Sequence, residues 1–197
     1  MSDEKNPILN NPYLEPQKHY ATREDGSLDY EEIKDERRIF TPDLNGAMPN
    51  RAGAQKDAFD INDTAIQYET HLINRIRYEL RDWRKQNYPG TTRVTKDLLN
   101  HWFLRYKDEP LKNLFFAQQE AIEAAIWLNE VADKSNAGQD ILSRLIQAQK
   151  EVSLASDDQL PRMAFKMATG TGKTVVMAAL ILYHYLNRRN YRQDTRF

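Results

Sequence analysis

The stretch MAFKMATGTGKT, residues 163–174, decides the fold of this chain. Apolar side chains alternate with small or polar ones over residues 163–167, the period of two that is typical of a β-strand. A loop with two glycines follows, and residues 175–186 are nearly all apolar, as in a helix that packs on a sheet. The order strand, glycine-rich loop, helix predicts an α/β fold of the P-loop type.

The loop carries a set of side chains suited to a nucleoside triphosphate. The candidate binding residues are Thr169, Gly170, Thr171, Gly172, Lys173 and Thr174. The two glycines permit a tight turn whose backbone N–H groups, those of the threonines included, face a phosphate. Lys173 can reach the β and γ phosphates, and the Thr174 hydroxyl can bind Mg²⁺. Lys173 and Thr174 are therefore the candidate catalytic residues, with Thr174 as the metal ligand.

The match to the phosphate-loop pattern is to its short form. The eight-residue pattern has a glycine where this chain has Met167, so the residues fit G-x-G-K-[ST]. The alternative is a flexible glycine turn beside an incidental lysine. The strand and helix predicted on either side favour the phosphate loop.

Composition limits the classes of function. The chain has 197 residues and a formal net charge of -1, so no global positive field indicates nucleic acid or an acidic membrane surface. It has no cysteine, which excludes disulfides, thiolate metal sites and thiol nucleophiles. The first residues lack the basic-then-apolar order of a signal peptide, and the longest apolar run is too short for a bilayer. These features predict a cytoplasmic protein with no membrane partner.

Three regions follow from the patterning. Residues 1–60 are predicted to be an irregular charged arm, residues 61–110 a helical accessory region, and residues 111–197 the first part of an ATP-binding domain that is incomplete. Residues 62–86 have a helical apolar period that Tyr88-Pro89-Gly90 ends. The arginines of this helix, among them Arg77 and Arg81, form either a phosphate-tracking surface or a solvated face.

Further helices are predicted in the accessory region and before the loop. Thr95 is the predicted N-cap of a short helix whose apolar side includes Trp102 and Phe103. A helix that opens near Gln118 runs to about residue 131. Residues 136–138 are predicted to break the chain before an amphipathic helix that ends near residue 153.

Residues 167–174 resemble motif I of superfamily 2 helicases and translocases, particularly the DEAD/DEAH-type branch that contains type III restriction enzyme motor (Res) subunits. Residues 114–121 resemble the adenine-recognising segment of that branch, in which an aromatic residue precedes a glutamine. The amide of Gln118 can donate to and accept from the adenine edge, and Phe116 or Phe115 can cover the ring. Gln119 remains an alternative reader, and the structural alternative is a polar residue at a helix N-terminus beside two core phenylalanines.

The resemblance implies the start of a RecA-like P-loop NTPase domain, truncated just after motif I and preceded by a mostly helical N-terminal region. It implies ATP and Mg²⁺ as cofactors, DNA as partner of the full-length protein, and modification or nuclease subunits of a restriction or phage-defence system as further partners. The acidic pair and the arginines with which such motors hydrolyse ATP are not found, so this piece alone is expected to be inactive. The alternatives are a P-loop ATPase of another branch and a non-catalytic DNA-binding or partner-docking module.

Overall fold

A computed structural model of the chain describes residues 8–23, 27–40, 71–105, 113–152 and 163–197. Its strands and α-helices within these ranges are β1 (Lys18–Thr22), β2 (Leu28–Asp35), α1 (Leu72–Lys85), α2 (Arg93–Leu99), α3 (Phe116–Glu130), α4 (Asn136–Val152) and α5 (Lys173–Asn190). A π-helical turn, Asn100–Leu104, follows α2, and a 3₁₀ turn, Ala132–Lys134, joins α3 to α4. The described part of the chain is therefore mixed helix and strand, with a small sheet beside a larger group of helices.

Strands β1 and β2 form an antiparallel hairpin with an irregularity between Tyr20 and Ala21. The prediction of an irregular arm is therefore wrong for Lys18–Thr22 and Leu28–Asp35. Most of the hairpin's side chains are exposed, so no alternating apolar pattern marks its strands. Backbone pairing and polar contacts hold it instead: Asn10 donates to the Lys18 carbonyl oxygen at 3.0 Å and accepts from the Gln17 N–H at 3.2 Å.

Helix α1 ends where the sequence predicts, although the first part of the predicted helix, residues 62–70, lies outside the described residues. Asn87, Tyr88 and Gly90 all have positive φ, which the helical backbone cannot continue. The Trp83 indole N–H donates to the Pro89 carbonyl oxygen at 2.8 Å, and its ring meets that of Tyr88 edge to face. The turn after α1 is thus fixed by the helix's own last buried side chain.

The N-cap of helix α2 lies three residues before the predicted one. Thr92, and not Thr95, is its N-cap, since the Thr92 hydroxyl accepts from the Thr95 N–H at 3.1 Å. Thr95 lies inside the helix and is fully buried. Trp102 and Phe103 of the following π-helical turn pack against the core, as the sequence predicts.

Helix α3 ends at Glu130, close to the predicted boundary, but residues 136–138 do not break the chain. They form the first turn of α4, and Gly138 lies directly against the 3₁₀ turn, where an added Cβ would overlap the Ala132 carbonyl group. This glycine therefore serves close packing and does not interrupt a helix.

The segment before the loop is not a strand, contrary to the prediction. A strand needs a neighbour with which to pair, and none of the described residues pairs with residues 163–167. The predicted alternation of side chains is nevertheless present: Phe165 and Met167 pack against the core, while Ala164 and Lys166 are exposed.

Helix α5 is longer than its apolar run and packs on helices. Its buried residues are Val176, Ala179, Tyr183 and Asn187, and they face α3 and α2. The predicted packing of this helix on a sheet is not seen among the described residues. Exposed apolar side chains, led by Ile181 at 67 % and Met177 at 62 % exposure, cover another face.

The core lies between these helices. Leu80 of α1, Leu99 of α2, Ile122 and Ile126 of α3 and Ile141 of α4 are almost completely buried there. In the part of the chain that the structure describes, no helix combines the length and apolar character that crossing a membrane requires.

Candidate nucleotide-binding site

The phosphate loop forms a tight turn in front of α5. Gly170 and Gly172 both have left-handed φ values, +81° and +76°. Thr171 closes the turn on Ala168, whose carbonyl oxygen accepts from the Thr171 hydroxyl at 2.7 Å. The backbone therefore curls here as the sequence predicts.

The two glycines are required for different reasons. An added Cβ at Gly170 would meet nothing within 4 Å, so only the left-handed backbone selects glycine there. At Gly172 an added Cβ would overlap the Nε2 atom of Gln118. Gly172 is thus needed both for its backbone and for the close approach of another helix.

Lys173 and Thr174 are the first two residues of α5, and both are exposed. The Lys173 ammonium donates to the Ala168 carbonyl oxygen at 2.8 Å, so the side chain folds back over the loop. The first N–H groups of a helix lack intrahelical acceptors and carry partial positive charge. An ammonium group, helix N–H groups and a hydroxyl therefore lie together at one end of α5, a donor set suited to phosphate oxygens.

Gln118 joins the predicted adenine segment to this loop. Its Nε2 donates to the Thr171 carbonyl oxygen and its Oε1 accepts from the Phe115 N–H, each at 2.9 Å. The side chain is only 5 % exposed. Residues 118 and 171, far apart in sequence, are thus brought into direct contact, and the amide fixes the start of α3 against the loop.

The second glutamine has a different partner. The Gln119 Nε2 donates to Glu123 at 2.8 Å, where the carboxylate also binds Arg84 and the Tyr88 hydroxyl. Of the two candidate readers, Gln118 is the one in contact with the phosphate loop. Recognition of adenine by either residue stays a prediction.

The two phenylalanines before Gln118 lie in different surroundings. Phe116 is 7 % exposed, and the guanidinium groups of Arg37 and Arg84 lie 5.3 and 5.1 Å from its ring centroid. Phe115 is partly exposed and contacts the ring of Tyr13 at 5.3 Å. Phe115 and Tyr13 therefore offer the more accessible aromatic surface next to Gln118, and Phe116 as the ring that covers a base stays a prediction.

The arm supports the adenine segment, a feature that sequence reasoning missed. The Pro12 carbonyl oxygen accepts from the Phe116 N–H at 2.8 Å. Arg37 makes a two-pronged ion pair with Glu120 of α3, with 2.6 Å between Nη2 and Oε2. Contacts between residues more than 80 positions apart leave no periodic signal in the sequence.

A buried polar cluster anchors the far end of α5, and it too was missed. Asn187, Thr95 and Glu130 are all fully buried. Asn187 donates to the Thr95 hydroxyl at 2.9 Å and accepts from the Thr92 hydroxyl at 2.6 Å, and Thr95 in turn donates to Glu130 at 2.5 Å. We call these four residues the α5 anchor. Their scattered positions give no motif, although buried polar groups of this kind must find partners once packed.

The start of α5 offers one oxygen ligand of the kind that Mg²⁺ prefers, and Mg²⁺ usually completes its coordination with water and phosphate oxygens. The Thr174 hydroxyl is exposed at the helix start and fits one such position. Within the described ranges, no group of three or more His, Asp or Glu side chains is placed to hold a metal ion. A magnesium ion here would therefore be held by Thr174 together with the nucleotide's own phosphates.

Comparison with known proteins gives a match to a protein family. Residues 111–193 match the family described as type III restriction enzyme, res subunit. No curated protein and no solved structure matches the chain. The matched range is less than half of the chain, and it contains both the adenine segment and the phosphate loop. Residues 111–193 are thus similar to the Res subunit of type III restriction enzymes.

Proposed function

We propose that this chain binds Mg-ATP at the start of α5, as part of an ATP-dependent DNA helicase or translocase of a restriction or phage-defence system. The observation that carries the proposal is the loop itself: two left-handed glycines lead into a helix whose first residues are Lys173 and Thr174. The family match over residues 111–193 supports the motor assignment. DNA, modification subunits and nuclease subunits are proposed partners of the full-length protein, whose ATP-binding domain we expect to be RecA-like.

Each loop residue has a proposed role. The backbone N–H groups of Thr169, Gly170, Thr171 and Gly172 surround the phosphates. Lys173 leaves the Ala168 carbonyl oxygen, which is a neutral acceptor, and binds the β and γ phosphates because charge-assisted hydrogen bonds are stronger. Thr174 binds Mg²⁺. ATP binding therefore replaces an internal contact of the loop with contacts to the ligand.

The proposed selectivity for adenine rests on Gln118. One hydrogen of its amide nitrogen and one lone pair of its oxygen are used by Thr171 and Phe115, and each atom has a second position that an adenine edge can use. The Tyr13 and Phe115 rings supply an adjacent surface on which a base can stack. Base recognition and loop geometry are therefore coupled through one side chain.

Equilibrium binding of a fluorescent Mg-ATP analogue tests the proposal. Lys173→Ala should weaken binding about 10- to 100-fold, since it removes charge-assisted hydrogen bonds to phosphate. Lys166→Ala is the matched control: it removes a lysine from an exposed position just before the loop and should leave the affinity unchanged. Equal loss of affinity in both variants, or none in Lys173→Ala, would show that the loop is not the binding site.

Competition by ATP and GTP tests the base. Gln118→Ala should reduce the preference for ATP, while Gln119→Ala, whose amide is bound to Glu123, should keep it. If Gln119→Ala alone loses the preference for ATP, Gln119 and not Gln118 is the residue that recognises adenine. If neither changes the preference, the adenine assignment fails and the phosphate assignment stands on Lys173 alone.

A further inference from the structure

A cavity lies between α1 and the arm. Its volume is about 570 Å³, and residues 15–18, residues 35–39 and the exposed side of α1 enclose it. Five of its lining side chains are cationic: Lys18, Arg37, Arg38, Arg77 and Arg81. None of the lining residues belongs to the loop at residues 168–174.

Two of the cavity's three acidic side chains, Glu15 and Asp35, are paired with part of this set, and the third, Glu36, is exposed. Glu15 accepts from Arg81 at 2.9 Å and from Arg37 at 3.5 Å. Arg37 is further paired with Glu120, and the Asp35 carboxylate lies 3.9 Å from the Lys18 ammonium. The positive charges of Lys18, Arg37 and Arg81 are therefore balanced within the protein.

Arg77 and Arg38 have no such ion pair among the described residues, and Arg77 is the more buried of the two. Its one hydrogen bond among the described residues is a long one to the Asn74 side-chain oxygen, at 3.5 Å, and no carboxylate of those residues pairs with it. Burial, followed by the positive charge of Arg37, lowers the pKa of Arg77 below its ordinary value, although the charges of Glu120 and Glu15 act in the opposite direction. A half-buried guanidinium without a direct ion pair is unfavourable, and an anion in the cavity would relieve that cost.

Two neighbours of Arg77 extend the same surface. Arg38 is exposed, and its guanidinium is held at the Thr22 hydroxyl by a 3.1 Å hydrogen bond. Tyr78 also lines the cavity and is 49 % exposed. Exposed aromatic rings beside arginines can stack on bases of a single strand while the guanidinium groups contact its phosphates.

We propose that this cavity is a nucleic-acid site in which Arg77, with Arg38, binds a backbone phosphate of a single strand whose base stacks on Tyr78. The choice of nucleic acid as the ligand rests on the proposed helicase function; the anionic character of the ligand rests on the cavity alone. A strand is favoured over free phosphate because the cavity is much larger than one phosphate group and includes an aromatic ring.

Fluorescence anisotropy with a labelled oligothymidylate and the complete 197-residue chain tests this site. Arg77→Ala should weaken binding about tenfold, the loss expected for a charge-assisted hydrogen bond. It should also reduce the salt dependence of the affinity by about one phosphate contact. Arg77→Lys, which keeps the charge, should recover part of the affinity, and Tyr78→Ala should weaken binding without changing the salt dependence.

The matched control for charge is Lys85→Ala. Lys85 is on the same helix, exposed, and 3.8 Å from Asp82, outside the cavity. Equal weakening by Lys85→Ala and Arg77→Ala would overturn the proposal, because binding would then come from the general field of α1. Unchanged affinity in Arg77→Ala would also overturn the proposal. Arg77→Gln is a second variant with the same expected loss, in case Arg77→Ala does not fold.

Two further measurements distinguish the cavity site from binding at the phosphate loop and from binding of small anions. Lys173→Ala should weaken ATP binding about 10- to 100-fold and leave oligothymidylate binding intact. If Lys173→Ala loses both ATP and oligothymidylate binding, the strand binds at the phosphate loop and the cavity site is overturned. If it loses neither, the proposed ATP site is refuted and the cavity site is unaffected. Competition by inorganic phosphate as effective as that by unlabelled oligothymidylate would show a small-anion site and overturn the assignment to nucleic acid.

Discussion

Gly172 is the residue at which the backbone of the loop meets Gln118 of the predicted adenine segment. An alanine at position 170 would meet no steric obstacle, but its left-handed backbone would destabilise the folded state by about 1–2 kcal/mol. Alanine at Gly172 has the same backbone cost and also displaces the Gln118 amide. We expect Gly172→Ala to lower the free energy of unfolding more than Gly170→Ala does, and to weaken nucleotide binding more, as measured by urea denaturation and fluorescent-nucleotide titration.

A double variant isolates the contact between the two residues. Gln118→Ala removes the side chain that a Cβ at position 172 would overlap, so the combination of Gly172→Ala with Gln118→Ala should cost less than the sum of the single changes. Strict additivity would mean that the backbone conformation of Gly172, and not its approach to Gln118, requires glycine.

The sequence reveals the loop but not this contact. Residues 170–174 form a contiguous pattern whose chemistry can be predicted from residue types alone. The bond between Gln118 and Thr171 depends on how α3 and α5 pack, which no local pattern encodes. Similarly, Arg37 and Glu120 are paired by the fold and could not be matched from their spacing.

Helices were the elements most predictable from sequence. The apolar period of α1 and the stop at residues 88–90 follow from local chemistry, and both are observed. Hairpin β1–β2 escaped prediction because it buries little, and the segment at residues 163–167 was assigned as a strand from an alternation that core packing alone also produces. Pairing partners, which define a strand, are not local information.

The α5 anchor is the element-scale feature that we expect to matter most for stability. Asn187→Ala should lower the free energy of unfolding by about 2 kcal/mol, because it removes the amide that bonds the buried Thr95 hydroxyl and the half-buried Thr92 hydroxyl. Asn190→Ala is the matched control: Asn190 is on the same helix and exposed, and its side-chain amide donates to the Leu186 carbonyl oxygen at 2.8 Å. It should cost less than about 0.5 kcal/mol.

Urea denaturation of the two variants provides the measurement. Nucleotide affinity of the folded Asn187→Ala protein should stay near that of the wild type, since the anchor lies at the end of α5 opposite to the loop. A large loss of affinity without loss of stability would contradict this assignment and would give the anchor a role in the site.

At the scale of the whole molecule, ion pairs join the arm to the helices. Glu15 of the arm contacts Arg81 of α1 and Arg37, and lies 4.0 Å from Arg84. Arg37 continues the connection to Glu120 of α3. The position of the arm relative to α1 and α3 therefore depends on a network of charges in addition to apolar packing.

This network predicts a dependence of stability on pH. Burial raises the pKa of Glu15, but the hydrogen bond from Arg81 and the charges of Arg81, Arg37 and Arg84 outweigh it and hold the pKa below its ordinary value of 4.5. A carboxyl group with a lowered pKa in the folded state stabilises the protein above its unfolded pKa, and that stabilisation disappears as the pH falls through the folded pKa. The contribution of Glu15 should therefore be complete above about pH 5 and lost in more acidic solution.

The difference in free energy of unfolding between wild type and Glu15→Gln, measured over a series of pH values, isolates this carboxyl group from the others that titrate. We expect the difference to favour the wild type at pH 7 and to shrink as the pH falls below about 4.5. Glu32→Gln removes the same charge from an exposed strand position and should change stability at pH 7 by less than about 0.5 kcal/mol. A Glu15→Gln difference that stays constant down to strongly acidic pH would show that shape, and not charge, holds the arm against α1, and Arg37 would then act through its contact with Phe116.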